Sequence, residues 1–566
     1  MRQTRRMGLA VVWLGLMASG LTARAEDESA WDAIPSDAAV VVRLKAPKAT
    51  TERVAGFVDM VQPGMGANVR TQAKLIGLSI LNPTLEGVDM TKDWYMAVFA
   101  PSEDSPQPTM LYVIPATDVK AMEEGLGGEV KFVAHGDFGV YSQSSELVES
   151  VEEFLKGDEE GAEGEIDEKS LAAFNKGDLS AWVNVGGLTE EFAEKIKEAR
   201  EKASEQIENQ PGAEGTQEVA KQFVGGFFDA IGDIEGLVAT VVVEKQGVTI
   251  EEFVVAKEDS GVAKFLAKST PDALGLLASL PAGQLGYMGG KFDMQSMMEW
   301  AGKLVESAPG GEEQKEAMKK MVEAMKDVKF GTFVAGMKLG DMESGLLRVA
   351  SIGNVTPVDK FKALMKKQAE DPSMVQTVEG LDMKVEYTEK AETIAGTPVD
   401  LYKMTVELKD DAPPQAEIQK RMLDAMYGPN GMTGRYAFLK DQLVYVIGGD
   451  SADMEAALAA SKAPAKPAAG FAATRAKLNE KANLLFMVDL PNLVAGGAKI
   501  ASDAGLVPVK IDGDLIEGLE LKQSYTGFSA GADGATARAV TYIPVDQVKG
   551  FVKMTFAYFA LQAGQN

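Results

Sequence analysis

Residues 132–142 read FVAHGDFGVYS, a short apolar strand, a turn at His135-Gly136-Asp137 and a second short strand. Residues 436–446 read YAFLKDQLVYV, with apolar runs on both sides of a turn that contains an aspartate. Short apolar runs separated by a Gly- or Asp-bearing turn are typical of β-hairpins. The sequence therefore predicts the same hairpin at two places in the chain.

Other segments recur, in the same order, in the two parts of the chain that contain these hairpins. The paired segments are 34–42 with 280–288, 94–99 with 332–337, 110–114 with 345–350, 179–185 with 483–489, and Ile234-Glu235-Gly236-Leu237 with Ile516-Glu517-Gly518-Leu519. The same offset of 304 residues separates Tyr141 from Tyr445 and Trp182 from Phe486. An ordered series of this kind predicts a duplicated domain, with one half at 26–270 and the other at 271–566.

The predicted fold class is α+β, because hairpins alternate with helical stretches and few segments have a βαβ pattern. We expect each half to be an antiparallel or mixed sheet with helices packed mainly on one face. Helical periodicity extends over 188–208 and 216–231, and methionines at helical core spacing predict two further helices over 294–307 and 312–326. The apolar stretch 551–561 predicts a terminal helix docked on the second half.

The first 25 residues have the three-part layout of a secretory signal peptide. Arginines precede an apolar run over 7–21, and Ala23-Arg24-Ala25 forms an A-x-A cleavage site before the acidic Glu26. The sequence predicts an exported protein of the periplasm, the cell surface or the medium. No later run is long and apolar enough to predict a transmembrane helix in the mature chain.

Charge and cysteine content limit the partners and the sources of stability. The formal charge is −27, and the leader contains four arginines and no acids, so the mature chain carries −31. Such an acidic chain repels nucleic acid, and we expect no nucleic-acid partner. There is no cysteine. An exported chain without disulfides depends on core burial for its stability.

The residues give few candidates for catalysis or metal binding. His135 is the only histidine, so with no cysteine a zinc site of the usual His/Cys type cannot form. Residues 527–531 match G-x-S-x-G, but no histidine follows them, so we interpret the match as coincidence. We assign no catalytic residue, no cofactor and no metal site.

Calcium is the cation most compatible with the acidic loops of this chain. The oxygen-rich candidates for calcium are Asp158, Glu159, Glu160, Glu163 and Glu165, and separately Asp512 and Asp514. Neither group has EF-hand spacing, so a solvated acidic loop is the simpler interpretation. Carboxylates are also abundant enough that a carboxylate-dependent hydrolase of the periplasm stays open as the alternative function.

The second predicted helix of the pair 188–208 and 216–231 carries Phe223, Phe227 and Phe228. If the pair packs across a curved sheet, these rings line an apolar groove that binds a lipid or another hydrophobic ligand. The competing interpretation is that the three rings belong to the core.

The chain resembles the uncharacterised exported proteins of planctomycete-type bacteria. The likeness is carried by the leader, by Ile34-Pro35-Ser36-Asp37 and the strand after it, by the Trp94 hairpin, and by Pro115-Ala116-Thr117-Asp118 at the start of a helix. The resemblance implies export and the fold, and it implies no activity. The expected function is a non-enzymatic envelope protein, a binding or scaffold module for an envelope partner or a hydrophobic ligand.

Overall fold

The protein divides into two compact α+β units. The computed structural model describes residues 29–101, 107–127, 130–157, 161–209, 217–291, 322–323, 325–341, 343–370, 380–410, 412–464, 466–503, 510–511 and 513–563. Within these residues, unit 1 comprises 29–199, 227–267 and 533–549, and unit 2 comprises 200–226, 268–532 and 550–563. The α+β prediction is confirmed.

The described residues form eighteen strands and a set of helices. The strands are β1 (Val40–Leu44), β2 (Trp94–Phe99), β3 (Thr109–Pro115), β4 (Lys131–His135), β5 (Phe138–Ser142), β6 (Leu179–Asn184), β7 (Ile234–Glu244), β8 (Gly247–Ala256), β9 (Gly286–Gly290), β10 (Lys329–Asp341), β11 (Gly345–Thr356), β12 (Leu381–Ile394), β13 (Thr397–Leu408), β14 (Met432–Phe438), β15 (Gln442–Ile447), β16 (Leu484–Val488), β17 (Thr526–Asp533) and β18 (Thr536–Pro544). The α-helices are α1 (Pro47–Val61), α2 (Gly66–Gln72), α3 (Ile76–Ser79), α4 (Val119–Gly125), α5 (Ser145–Phe154), α6 (Glu168–Lys176), α7 (Val185–Glu191), α8 (Ala193–Glu208), α9 (Gln217–Gly232), α10 (Gly261–Lys268), α11 (Val358–Glu370), α12 (Pro414–Tyr427), α13 (Ser451–Lys462), α14 (Ala469–Arg475), α15 (Leu490–Asp503), α16 (Gly513–Gly518) and α17 (Val545–Ala563). Short 3₁₀ turns lie at Ala30–Ala33, Ala73–Leu75, Ala162–Glu165 and Gly275–Ser279.

The sheet of unit 1 is antiparallel, in the order β4-β5-β3-β2-β1-β6-β7-β8-β18. Strand β1 is central, with Val41 opposite Ala97 of β2 on one side and opposite Trp182 of β6 on the other. Branched apolar residues suit this place, since both faces of a central strand pack against other groups. The predicted hairpin at 132–142 is confirmed as β4 and β5, with His135 opposite Phe138.

Both faces of the unit 1 sheet are covered. On one face Val41, Tyr95, Val113 and Trp182 pack with Trp31, in a buried cluster that also includes side chains of α5 and α6. On the opposite face the buried residues include Val54, Phe57 and Ile76 of α1 and α3 with Trp94 and Tyr112, and Leu44 and Met96 pack against them. The expectation of helices mainly on one face is wrong for unit 1, because its inner strands are apolar at both odd and even positions.

The sheet of unit 2 is also antiparallel, in the order β12-β13-β14-β15-β11-β10-β9-β16-β17. The predicted hairpin at 436–446 is confirmed within β14 and β15, where Tyr436 stands opposite Tyr445. The long hairpin of β12 and β13 is not among the predicted elements, although apolar and polar residues alternate strictly over 381–388, a pattern typical of a strand. Among the described strands β12 pairs with β13 alone, and charged side chains such as those of β12 protect an edge strand from further pairing.

One face of the unit 2 sheet forms a closely packed core. Tyr287 of β9 makes edge contacts with the rings of Phe471 and Tyr525, at centroid distances of 4.7 and 5.5 Å. The hydroxyl of Tyr525 donates to the carbonyl oxygen of Gln284 at 2.8 Å. Leu274 packs on the same face, where it lies beside Gly289.

The two units share a strand order when the β12–β13 hairpin is left out. The order β4-β5-β3-β2-β1-β6-β7 in unit 1 matches β14-β15-β11-β10-β9-β16-β17 in unit 2. Register also agrees at the central strands. The amide of Asn184 donates to Ala39 O at 2.9 Å in unit 1, and the amide of Asp489 donates to Leu285 O at 2.7 Å in unit 2.

These hydrogen bonds correct one of the predicted residue pairings. Since Asn184 matches Asp489, Trp182 corresponds to Met487 and not to Phe486. Trp182 and Met487 are 3% and 0% exposed, whereas Phe486 is 43% exposed and lies on the other face. A slip of one residue moves every side chain of a strand to the opposite face.

The recurrence of the Ile-Glu-Gly-Leu tetrapeptide is the second correction. Ile234 begins strand β7, but Ile516 lies in the short helix α16. The strand of unit 2 that occupies the place of β7 is β17, which begins at Thr526. The identity of the four residues is therefore coincidental.

Among the described residues, no helix is both long and apolar enough to span a membrane. The predicted helix 294–307 and most of the predicted helix 312–326 lie outside the described residues.

Candidate functional site

Helices α8 and α9 are joined by polar contacts at their connected ends. Lys221 Nζ lies 2.5 Å from Glu208 Oε1, and Gln217 Nε2 donates to Glu208 O at 3.1 Å. Alternating Glu and Lys residues keep α8 solvated, and none of its residues is buried. The predicted helix 188–208 is in fact two helices, because the chain leaves α-helical geometry at Phe192.

The three predicted groove residues lie on α9 in different environments. Phe223 is 53% exposed and Phe227 is 63% exposed, and their spacing of four residues places them on the same side of the helix. Phe228 is half-buried, and its ring makes an edge contact with Phe227 at 6.0 Å. The competing interpretation of all three rings as core is wrong for Phe223 and Phe227, because solvent reaches more than half of each side chain.

A second set of exposed aromatic rings lies on α17, the last described helix. Phe556, Tyr558 and Phe559 are 59%, 57% and 60% exposed, and Phe551 is 40% exposed. The prediction of a terminal helix is confirmed. The expected docking of 551–561 is wrong for these four rings, which face solvent. The sequence predicted burial from mean hydropathy alone, which does not distinguish a buried face from an exposed one.

Hydrogen bonds from the side chain of Lys553 and a close contact at Gly550 hold this helix to unit 2, although its rings are exposed. Lys553 Nζ donates to the carbonyl oxygens of Leu519 and Glu520, at 2.6 and 3.3 Å. Gly550 lies close to the ring of Pro491. The positive charge of Lys553 is thus directed at the carbonyl oxygens after α16, and the aromatic side chains are left at the surface.

Unit 1 contains a buried ionic cluster that the sequence did not reveal. Arg43 is 3% exposed and donates to Asp93 Oδ2 through Nε and Nη2, at 2.9 and 2.5 Å. Its Nη1 donates to the carbonyl oxygens of Phe174, Asn175 and Gly177. An arginine within the apolar run VVVRL was the available signal, because a charge in a central strand is retained only where partners satisfy it.

Asp178 lies next to this cluster and is fully buried. Its Oδ2 accepts a hydrogen bond from Val243 N at 2.8 Å, and its Oδ1 is buried without a hydrogen bond among the described residues. Burial raises the pKa of Asp178 to about 6, and the Val243 amide, Arg53, Lys45 and Arg43 oppose this rise.

Unit 2 has a different buried carboxylate, Asp400, on β13. Lys362 Nζ lies 2.7 Å from Asp400 Oδ2, the hydroxyl of Tyr387 donates to the same oxygen, and Lys390 N donates to Oδ1 at 2.8 Å. Burial alone would raise the pKa of Asp400, but these three donors hold it below its usual value. Glu251 in unit 1 is similar, with Lys176 and Arg538 at 2.7 and 3.0 Å.

The residues of the hydrolase-like motif are placed in a strand. Ser529 is fully buried within β17, and its Oγ accepts a hydrogen bond from Asn479 N at 3.0 Å. A nucleophile elbow requires an exposed hydroxyl at a strand-to-helix turn, and Ser529 has neither feature. His135 ends strand β4 next to the turn at Gly136, as predicted.

The acidic segments lie partly outside the described residues. Asp158, Glu159, Glu160 and Asp512 are outside them. Glu163 and Glu165 lie in the turn Ala162–Glu165, and Asp514 lies in the first turn of α16. Within the described ranges, no group of three or more acidic or histidine side chains could hold a metal ion.

Comparison with known proteins gives a distant structural similarity. No protein-family model matches the chain, and no curated protein matches it. Three solved structures of TP0453, a Treponema protein, in crystal forms III, IV and I, are similar to it at 10%, 9% and 8% identity. They cover 51% of this chain and 99%, 98% and 98% of their own chains, with TM-scores of 0.20, 0.20 and 0.19. At these scores the similarity supports no conclusion about function, and the resemblance to planctomycete-type exported proteins stays an expectation.

Proposed function

We propose that this chain is a non-enzymatic, exported envelope protein, a binding or scaffold module that binds a hydrophobic ligand. The observation that carries the proposal is the exposure of aromatic rings on α9, where Phe223 and Phe227 are more than half exposed. Burying such rings against an apolar ligand is favourable, at about 25 cal/mol for each Å² removed from water. Phe228 lies beside Phe227 and supports the orientation of its ring.

The ligand that fits this surface is apolar and carries no negative charge. Helix α8, which is joined to α9, is rich in glutamate, and the whole precursor carries −27. Anionic ligands are repelled by a field of this sign. A neutral lipid or another neutral apolar molecule is therefore the expected class, with the rings of α9 as one wall of the predicted groove.

The alternative, a carboxylate-dependent hydrolase, has weaker support. It requires two carboxylates that face each other across a cleft with shifted pKa values. Glu251 and Asp400 instead have cationic partners within hydrogen-bonding distance. Asp178 has a raised pKa, but its polar neighbours are a backbone amide and cationic side chains.

We also propose that the halves 26–270 and 271–566 are repeats of one ancestral unit. The shared strand order of the two sheets supports this. A side-chain detail supports it further: Val243 N donates to Asp178 Oδ2 at 2.8 Å, and Ala532 N donates to Asn483 Oδ1 at 3.0 Å. Asp178 and Asn483 precede the matching strands β6 and β16, so the same side-chain hydrogen bond recurs.

The direct test is to purify the full chain from its native envelope, extract it with organic solvent and identify the extract by mass spectrometry. We expect a neutral apolar compound in stoichiometric amount, and less of it from a Phe223→Ser, Phe227→Ser variant. A Leu78→Ser variant, which alters an equally exposed apolar residue of α3, is the matched control. An extract without any bound compound counts against the proposal. The intact mass also tests export, since the predicted mature chain begins at Glu26.

A further inference from the structure

The second face of the unit 2 sheet carries a row of large apolar side chains that solvent reaches. Phe486 of β16 stands directly opposite Met288 of β9 and Phe528 of β17. Phe486 is 43% exposed, Met288 is 40% exposed, and Phe528 is half-buried. We name Met288, Phe486 and Phe528 the apolar row. Large apolar residues such as Phe and Met are mostly buried in folded proteins.

Unit 1 shows what covers the matching face there. The amide of Ala39 donates to Val98 O and that of Leu285 donates to Met337 O, so Val42 is the counterpart of Met288. Leu44 lies on the same face of β1 as Val42, because side chains alternate along a strand. It packs against the cluster that contains Val54 and Phe57 of α1. In unit 1 this face of the sheet is thus covered by the connection between β1 and β2.

In unit 2 the corresponding connection runs between β9 and β10, which are paired neighbours with Gly290 opposite Phe333. The connection therefore starts and finishes close to the apolar row. Most of it, residues 292–321, lies outside the described residues. Its sequence supplies apolar side chains in number, and they are Phe292, Met294, Met297, Met298, Trp300, Leu304, Val305, Met318 and Met321.

We propose that the apolar row is the docking surface for residues 292–321 of the same chain. Three observations support this occupant. The side chains of the apolar row are exposed to solvent, and the matching face of unit 1 is covered by the connection between β1 and β2. The connection 291–328 also begins and ends at the neighbouring strands β9 and β10. Methionine suits such a contact, because its unbranched side chain adapts to the uneven surface made by two phenylalanines. The inference is independent of ligand binding by α9.

The absence of cysteine allows a direct test in the full-length chain. A single Phe486→Cys variant is labelled with benzophenone maleimide, irradiated, digested and mapped by mass spectrometry. A Met288→Cys variant repeats the test from the neighbouring strand, in case one substitution disturbs folding. The matched control is Ile418→Cys, at a residue that is 61% exposed on α12, a helix that contacts β11 and β13. Mixing with ¹⁵N-labelled chains distinguishes crosslinks within one chain from crosslinks between chains.

The expected result is that both labelled positions of the row crosslink to peptides of 292–321 from the same chain, and that the control does not. Crosslinks to a ¹⁵N-labelled chain would assign the row to an interface between copies. Crosslinks to any other segment, or labelling without crosslinking at both positions, would equally overturn the proposal.

Discussion

At the scale of single residues, the contrast between Asp178 and Asn483 shows how one site is built with and without a charge. Both side chains accept a hydrogen bond from a backbone amide of the neighbouring strand. In unit 1 the site also lies near Arg43 and Lys45, and burial raises the pKa of Asp178 to about 6. Because the side-chain amide of Asn483 accepts the equivalent hydrogen bond in unit 2, we expect that asparagine can replace Asp178.

This predicts the pH dependence of an Asp178→Asn variant. The folded pKa of Asp178 is above its usual value, so this group stabilises the fold at low pH. That contribution is lost as pH rises from about 4 to about 6, by at most about 3 kcal/mol. We expect the variant to gain stability relative to the natural protein over this range, as measured by urea unfolding. Glu124→Gln at an exposed site is the control, and a constant difference for Asp178→Asn would contradict the assignment.

The pKa of Asp400 is shifted in the opposite direction to that of Asp178. Its donors Lys362 and Tyr387 hold the pKa of this carboxyl below its usual value, so its contribution is present above about pH 4 and is lost as pH falls. We expect Asp400→Ala to lower the free energy of unfolding at pH 7 by about 3 kcal/mol, because Lys362, Tyr387 and the Lys390 amide all lose this partner. Lys384→Ala, which breaks the exposed contact with Glu407, should cost less than about 1 kcal/mol. Equal losses of free energy of unfolding in the two variants would show that the burial of Asp400 does not determine its contribution to stability.

At the scale of elements, the exposed rings of α17 should contribute little to folding. Phe556 and Phe559 are about three-fifths exposed, so their truncation removes little buried surface. We expect Phe556→Ser and Phe559→Ser each to change the free energy of unfolding by less than about 0.5 kcal/mol. Phe57→Ser, at a buried ring of α1, is the control and should cost about 3 kcal/mol or more. A large loss at Phe556 would show that its ring is packed.

The same elements show what the sequence could and could not predict. Turn chemistry and apolar runs located the hairpins at 132–142 and 436–446, and helical periodicity located α9 to within one residue. Register was predicted less well, since Trp182 and Phe486 both occur in apolar strands and only the hydrogen bonds distinguish their faces. The exposure of the α9 rings could not be predicted, because a phenylalanine stripe has the same spacing in a core and at a surface.

At the scale of the whole molecule, two units of matching strand order differ in the groups that they bury and expose. Unit 1 contains the buried ionic cluster around Arg43, and unit 2 carries the additional hairpin β12–β13. The α+β class and the matching strand order of the two units could be predicted, because hairpin and strand patterns recur in the same order in both halves of the sequence. The buried ionic clusters depend on residues distant in sequence, such as Arg43 with Asp93, and these pairs leave no local pattern.

The proposed function depends on the binding of neutral apolar molecules by the surface of α9. Its most direct measurement is a titration of the purified mature chain with N-phenyl-1-naphthylamine, a neutral dye whose fluorescence rises in apolar surroundings. We expect saturable binding that falls at least about tenfold in affinity, about 1.4 kcal/mol, in a Phe223→Ser, Phe227→Ser variant. The Leu78→Ser control should bind like the natural protein. Equal binding by all three proteins, or no saturable binding, would contradict the proposal.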